Sequence, residues 1–207
     1  YQLAPRMADR LAGAGMMAGH PNETVPDGLR NIAFALHVGA NDSAYDRNKV
    51  ASQWMEKLAE LQKNDPDGYV HQAVLHKGMG HWMELEEESA FSWLAQYERN
   101  PYPQRVVWVQ DDVLHNQFYW LAVDEPKERT KIIASIDGQT ITIHESDVTT
   151  MTIYLNDTMM ELDKSIIVKY KDRELGSFDV VRSQQTILET MRDSKDYYTS
   201  ELRIVLP

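Results

Sequence analysis

NIAFALHVGAND (Asn31–Asp42) and YVHQAVLHKGMGHWM (Tyr69–Met83) decide how this chain is read. Each begins with a short apolar run, and that of the first is nearly unbroken, the pattern of a parallel strand buried on both faces, with the second read as its neighbour. Each ends on glycine followed by a functional side chain: Gly39-x-x-Asp42 in the first, Gly78-x-Gly80-His81 in the second. Between them, Asn48–Gln62 repeats Val50, Trp54, Leu58 and Leu61 at helical spacing. Asn64-Asp65-Pro66-Asp67-Gly68 then stops the helix with strong turn chemistry. After His81, EEESAFSWLAQY (Glu86–Tyr97) predicts another helix, with acid at its positive end and Phe91, Trp93, Leu94 and Tyr97 as its apolar residues. Strand, helix, strand, helix is the grammar of an open α/β sheet.

In such a sheet the site lies beyond the carboxyl ends of the strands, so Asp42 and His81 are delivered to one edge. There the acid can orient the base, as in a Ser-His-Asp hydrolase. Singly, each has an ordinary explanation, since an Asp after a strand commonly caps a helix and a lone Gly-His carries little information. The pair is more specific: acid precedes base by 39 residues, with one helix between them and one after. Asp46 is the rival acid, but it falls where the helix begins. His37 reads as a core or supporting group, and His71 and His76 as strand or loop residues. Glycines 78 and 80 leave the loop free to lift the imidazole. Met79, Trp82 and Met83 flank the base, and core packing accounts for at least two of them. His76 and His81 lack the spacing of a helical zinc motif, so neither metal nor cofactor is expected.

Composition narrows the partners. A formal charge of −11 with dispersed acidic residues and no basic patch excludes nucleic acid. No apolar run approaches the length of a membrane span. The absence of cysteine excludes disulfides, thiol nucleophiles and thiolate metal sites.

Upstream, YQLAPRMADRLAGA (Tyr1–Ala14) predicts the later turns of a helix, with Leu3, Met7 and Leu11 on one stripe and Pro5 in a first turn or kink. AGMMAG follows as a strand. The segment LAPRMADRLAGAGMMAG resembles the region after the nucleophile elbow in α/β-hydrolase esterases related to feruloyl esterases, polyhydroxybutyrate depolymerases and prolyl-oligopeptidase-like enzymes. It carries Asp9-Arg10-Leu11-Ala12, with Leu11 where those families have an aromatic residue, and closes on Ala18-Gly19. The resemblance covers Tyr1 to about Arg99. It implies a doubly wound parallel sheet with strands at Gly15–Ala18, Ile32–Val38 and Val70–His76. It also implies a carboxylesterase acting on a small-molecule or polymer-linked ester, with Asp42 and His81 as acid and base.

These families place a nucleophilic Ser within Gly-x-Ser-x-Gly at the start of that first helix, and no such motif occurs in the 207 residues. The resemblance therefore implies a Ser preceding Tyr1 and a missing amino-terminal half as partner. The chain alone is expected to be inactive, because a triad without its nucleophile loses on the order of 10⁶-fold in rate. A protein that keeps the fold without its chemistry, with a β-rich docking module, is the alternative.

Asn100-Pro101-Tyr102-Pro103 marks a boundary, giving residues 1–102 as the hydrolase part and 103–207 as an appended β-rich domain. Beyond it the period changes to two, with strands expected at Arg105–Gln110, Gln117–Ala122, Lys131–Ile136, Gln139–His144, Thr149–Leu155, Ile166–Tyr170, Leu175–Val181 and Tyr198–Leu206. Asp137-Gly138 predicts a hairpin. Gln184–Arg192 predicts a helix capped by Ser183 and burying Ile187, Leu188 and Met191. The expected architecture is an antiparallel sandwich.

Overall fold

The computed structural model describes residues 1–207, which divide into two compact units, Tyr1–Asn100 and Pro101–Pro207. The first opens with one helical turn, α1 (Leu3–Arg6), and a 3₁₀ turn at Ala8–Arg10. The long helix expected over Tyr1–Ala14 does not form. Its buried residues are Ala4, Pro5, Ala8 and Asp9, while Leu3 is exposed and Met7 and Leu11 are only half-buried. The tight fit explains this: the turn at Pro26–Leu29 lies so close that a Cβ on Gly28 would sit 2.4 Å from the Pro5 carbonyl oxygen.

Three strands, β1 (Gly13–Met17), β2 (Ala33–Gly39) and β3 (His71–His76), form a parallel sheet in that order. Every residue of the central β2 is buried, which is why its sequence is apolar without alternation. The register pairs Met17 with His37 and Gly39 with His76, so the carboxyl ends of β2 and β3 finish side by side. Helix α2 (Arg47–Asn64) crosses between them and packs on both. It buries Ala51, Trp54 and Leu58, with Val50 and Leu61 only half-buried at the margins of the stripe. Its carboxyl end is tied to the entry of β2 by a two-pronged ion pair, Arg30 Nε to Asp65 Oδ2 at 2.7 Å and Nη2 to Oδ1 at 2.8 Å. The planar guanidinium suits a carboxylate in this geometry. The final helix, α3 (Ser89–Leu94), is preceded by a 3₁₀ turn at Glu86–Glu88 and packs on β1 and β2.

The second unit contains two sheets. One holds β4 (Arg105–Val109), β7 (Lys131–Asp137), β8 (Thr140–Ser146), β10 (Ile166–Tyr170) and β11 (Arg173–Phe178) in the order β11-β10-β8-β7-β4. The other holds β5 (Gln117–Phe118), β6 (Leu121–Ala122), β9 (Thr150–Leu155) and β12 (Ser200–Val205) in the order β12-β9-β6-β5. Strict alternation in β7 and β9 buries every second residue, as half-covered strands require. Trp108 stacks on Phe118 with ring centroids 6.0 Å apart, joining the two sheets, and buried Trp120 donates Nε1–H to the Pro103 carbonyl at 2.8 Å.

Three expectations for this unit need correction. The sheets are not purely antiparallel: β10 runs parallel to β8, because the intervening chain visits the other sheet as β9 before returning. The single strand expected over Gln117–Ala122 is instead a tight hairpin, β5 to β6, turning at Tyr119 with φ 52°. Helix α4 (Gln184–Thr190) is capped by Ser183 as expected, its side chain accepting from Thr186 N–H at 3.3 Å. However, it buries Thr186 and Thr190 while Leu188 and Met191 stay exposed. Thr190 Oγ1 bonds the Thr186 carbonyl and the Tyr198 backbone, so hydrogen bonds decide which face turns inward.

Candidate functional site

The loops leaving β2 and β3 are joined by backbone contacts before any side chain is considered. Ala40 N–H donates to the His76 carbonyl at 2.9 Å, and Asn41 N–H to the Met79 carbonyl at 2.8 Å. Gly39 makes this approach possible: a Cβ there would lie 2.0 Å from the Gly80 carbonyl oxygen and 2.5 Å from that of Met79. Gly78 turns the His loop with φ +77°, a conformation that favours glycine. Gly80 has no such φ, and a Cβ on it would meet nothing within 4 Å. Gly80 therefore contributes its carbonyl to the close packing rather than freedom to the loop.

This packing brings Asp42 and His81 together. Asp42 Oδ2 accepts from His81 Nδ1 at 2.9 Å, and Asp42 Oδ1 accepts from Arg47 Nη1 at 3.2 Å. The Asp42 side chain is 2% exposed, whereas that of His81 is 45% exposed. A carboxylate so buried needs partners that offset its lost hydration, and two donors, one permanently charged, supply them. Because a carboxylate facing Nδ1 requires the proton there, Nε2 is left as the basic nitrogen on the more exposed partner. Asp42 does not cap α2; only its main-chain carbonyl accepts, from Asn48 N–H at 3.0 Å. Asp46 precedes α2 with φ 55° and pairs with Lys49 Nζ at 2.7 Å.

Arg47 was not identifiable from the sequence, because one arginine at a helix start has no signature that separates it from a surface charge. Only the fold sets its guanidinium against the carboxylate and 5.0 Å from the centre of the Tyr45 ring. Of the three apolar neighbours of the base, Met83 is core, Met79 is half-buried, and Trp82 is exposed with its ring edge-to-face on His81 at 5.5 Å.

Deeper in the sheet, a second group of polar side chains runs between the same strands. His37 Nε2 meets Gln72 Oε1 at 3.1 Å, and His37 Nδ1 meets His76 Nε2 at 3.0 Å. Gln72 Oε1 can only accept, so His37 carries its proton on Nε2 and accepts on Nδ1 from His76 Nε2–H. Burial holds the His37 imidazole below the ordinary histidine range, and the His76 ring adds to this; the Gln72 bond and the Glu87 carboxylate oppose it. His71 Nδ1 lies 2.7 Å from the Tyr69 carbonyl and takes no part in either group.

The lowered His37 pKa has a consequence for stability. As pH falls through about 6.5, the unfolded chain binds this proton before the folded one does. Stability should then decline by up to about 1.4 kcal/mol per pH unit for that single proton. The half-buried His144, also lowered chiefly by burial, acts in the same direction. Urea unfolding should show a lower midpoint at about pH 5.5 than at about pH 7.5. His37→Gln should narrow the gap; an equal gap in that variant would mean that His37 titrates freely in the folded state.

No known protein-family model, characterised protein or solved structure matches the chain. No group of three or more His, Cys, Asp or Glu side chains is arranged to hold a metal ion. No helix is long and apolar enough to cross a membrane.

Proposed function

We propose that the first unit is the carboxyl-terminal part of an α/β-hydrolase domain, and that the intact protein is a serine hydrolase acting on carboxylic esters. His81 removes the proton from a serine hydroxyl as it attacks the ester carbonyl, then returns it to the departing alcohol. Asp42 holds His81 in the tautomer with Nε2 free and stabilises the imidazolium that forms between those steps. Arg47 fixes the carboxylate plane by occupying its other oxygen. The serine is assigned, from the resemblance of the first hundred residues, to a segment preceding Tyr1.

The observation that supports this reading is the 2.9 Å contact between a buried carboxylate and the Nδ1 of a half-exposed imidazole, on loops from adjacent parallel strands. A solvated surface pair would leave both partners wet. A purely structural buried pair would hide the histidine as well.

A fluorophosphonate probe on the intact protein tests the proposal. It should label one serine, within a Gly-x-Ser-x-Gly sequence upstream of Tyr1, and His81→Ala should abolish the labelling. An intact, folded protein that takes no label would leave the non-catalytic reading instead.

A further inference from the structure

We propose that Trp82 is the platform for the alcohol half of the ester, so that the enzyme favours esters of bulky, flat-faced alcohols over those of short alkyl alcohols. The inference rests on the serine-hydrolase reading above. Trp82 is 84% exposed, yet its neighbour Met83 is buried, so the chain is anchored at one residue and turned outward at the one before it. The turn closes with Glu86 N–H on the Met83 carbonyl at 2.9 Å, through Glu84 and Leu85 at φ 54° and 69°. Such angles are uncommon outside glycine and persist where the surroundings impose them.

The Asp loop repeats the arrangement. Tyr45 and Asp46 have φ 54° and 55°, and Tyr45 is also exposed. An unbroken series of contacts joins the two aromatics through the site: Tyr45 to Arg47, Arg47 to Asp42, Asp42 to His81 and His81 to Trp82. Two exposed aromatic residues thus flank one acid–base pair, each three or fewer residues beyond the site residue on its own loop.

The chemistry assigns Trp82 to the alcohol side. The serine oxygen bonds to the carbonyl carbon while its proton passes to His81 Nε2. The carbon–oxygen bond to the alcohol then breaks, and Nε2 delivers the same proton to the departing oxygen. Water repeats the sequence to release the acid. At the breaking step the alcohol oxygen must lie within hydrogen-bond reach of the imidazole, and its substituent therefore lies beside that ring. Trp82 is the aromatic ring set edge-to-face to His81, and its exposed indole offers a planar apolar group both area and preferred stacking geometry.

The test uses the intact protein with benzyl acetate, ethyl acetate and ethyl benzoate. Trp82→Ala should lower the ratio of kcat/KM for benzyl over ethyl acetate about tenfold, with Trp82→Phe retaining most of it. The ratio for ethyl benzoate over ethyl acetate should not change. Hydrolysis of the acetyl-enzyme, measured after the alcohol has left, should be the same in both proteins. A uniform loss across all three esters, or a loss that follows the acyl group, overturns the assignment while leaving the hydrolase reading intact. An intact protein that neither takes the fluorophosphonate label nor cleaves any ester overturns both.

Discussion

Ester turnover by the intact protein is expected to fall about 10⁶-fold in His81→Ala and about 10⁴-fold in Asp42→Asn. The two losses have different causes. On the proposed mechanism, removing the imidazole leaves the serine hydroxyl without a base. Replacing the carboxylate by an amide keeps the shape but lets the side-chain N–H face His81 Nδ1, which drives the ring proton to Nε2 and blocks the nitrogen that must accept. Asp42→Asn also leaves Arg47 without its anionic partner at 3.2 Å, so this variant should lose stability as well as rate. His81→Ala should also lower the midpoint, because the 2% exposed Asp42 carboxylate loses one of its two donors. The measurements are kcat on p-nitrophenyl esters and the urea midpoint of each variant. Activity within tenfold of wild type in His81→Ala would end the proposed role of this residue.

Gly39→Ala is expected to cost at least about 100-fold in turnover without touching a reacting group. Its new methyl would sit 2.0 Å from the Gly80 carbonyl oxygen and 2.5 Å from that of Met79. Both obstacles are backbone, so no side-chain rotation relieves them. The His loop must move, breaking the 2.8 Å bond from Asn41 N–H to the Met79 carbonyl and carrying His81 away from Asp42. A displacement of about 1 Å at a catalytic group is enough for a loss of this order, and overpacking at a rigid contact adds about 1–3 kcal/mol of destabilisation. Gly80→Ala is the control, since its Cβ would meet nothing within 4 Å and its stability should stay within about 0.5 kcal/mol of wild type. If both variants behave alike, loop flexibility rather than close packing controls the site.

The legible part of this chain was the part in which local pattern and final environment coincide. The unbroken apolar run of β2 and the 3.6-residue repeat of α2 were readable because each element buries what its own periodicity presents, whereas β3 has no fully buried residue. The meeting of Asp42 and His81 was readable because parallel strands end at the same edge, which turns two distant residues into neighbours. The Ser183 cap and the Asp137-Gly138 hairpin follow from local hydrogen bonding and backbone preference, with Gly138 at φ +54°.

What the tertiary structure decided was everything that depends on approach between distant backbones or on which competing face wins. The opening segment carries a helical stripe, yet its small residues fit more closely against the Pro26–Leu29 turn than Leu3, Met7 and Leu11 would. The apolar stripe of α4 lost to hydrogen bonds made by Thr190. The parallel pairing of β10 with β8 depends on a return from the other sheet, which no local signal encodes. At the site, Gly39 matters through the space it leaves for another loop, and Arg47 through a carboxylate five residues away. A sequence states each residue's own preferences, whereas the distance between two backbones is settled only when the whole unit packs.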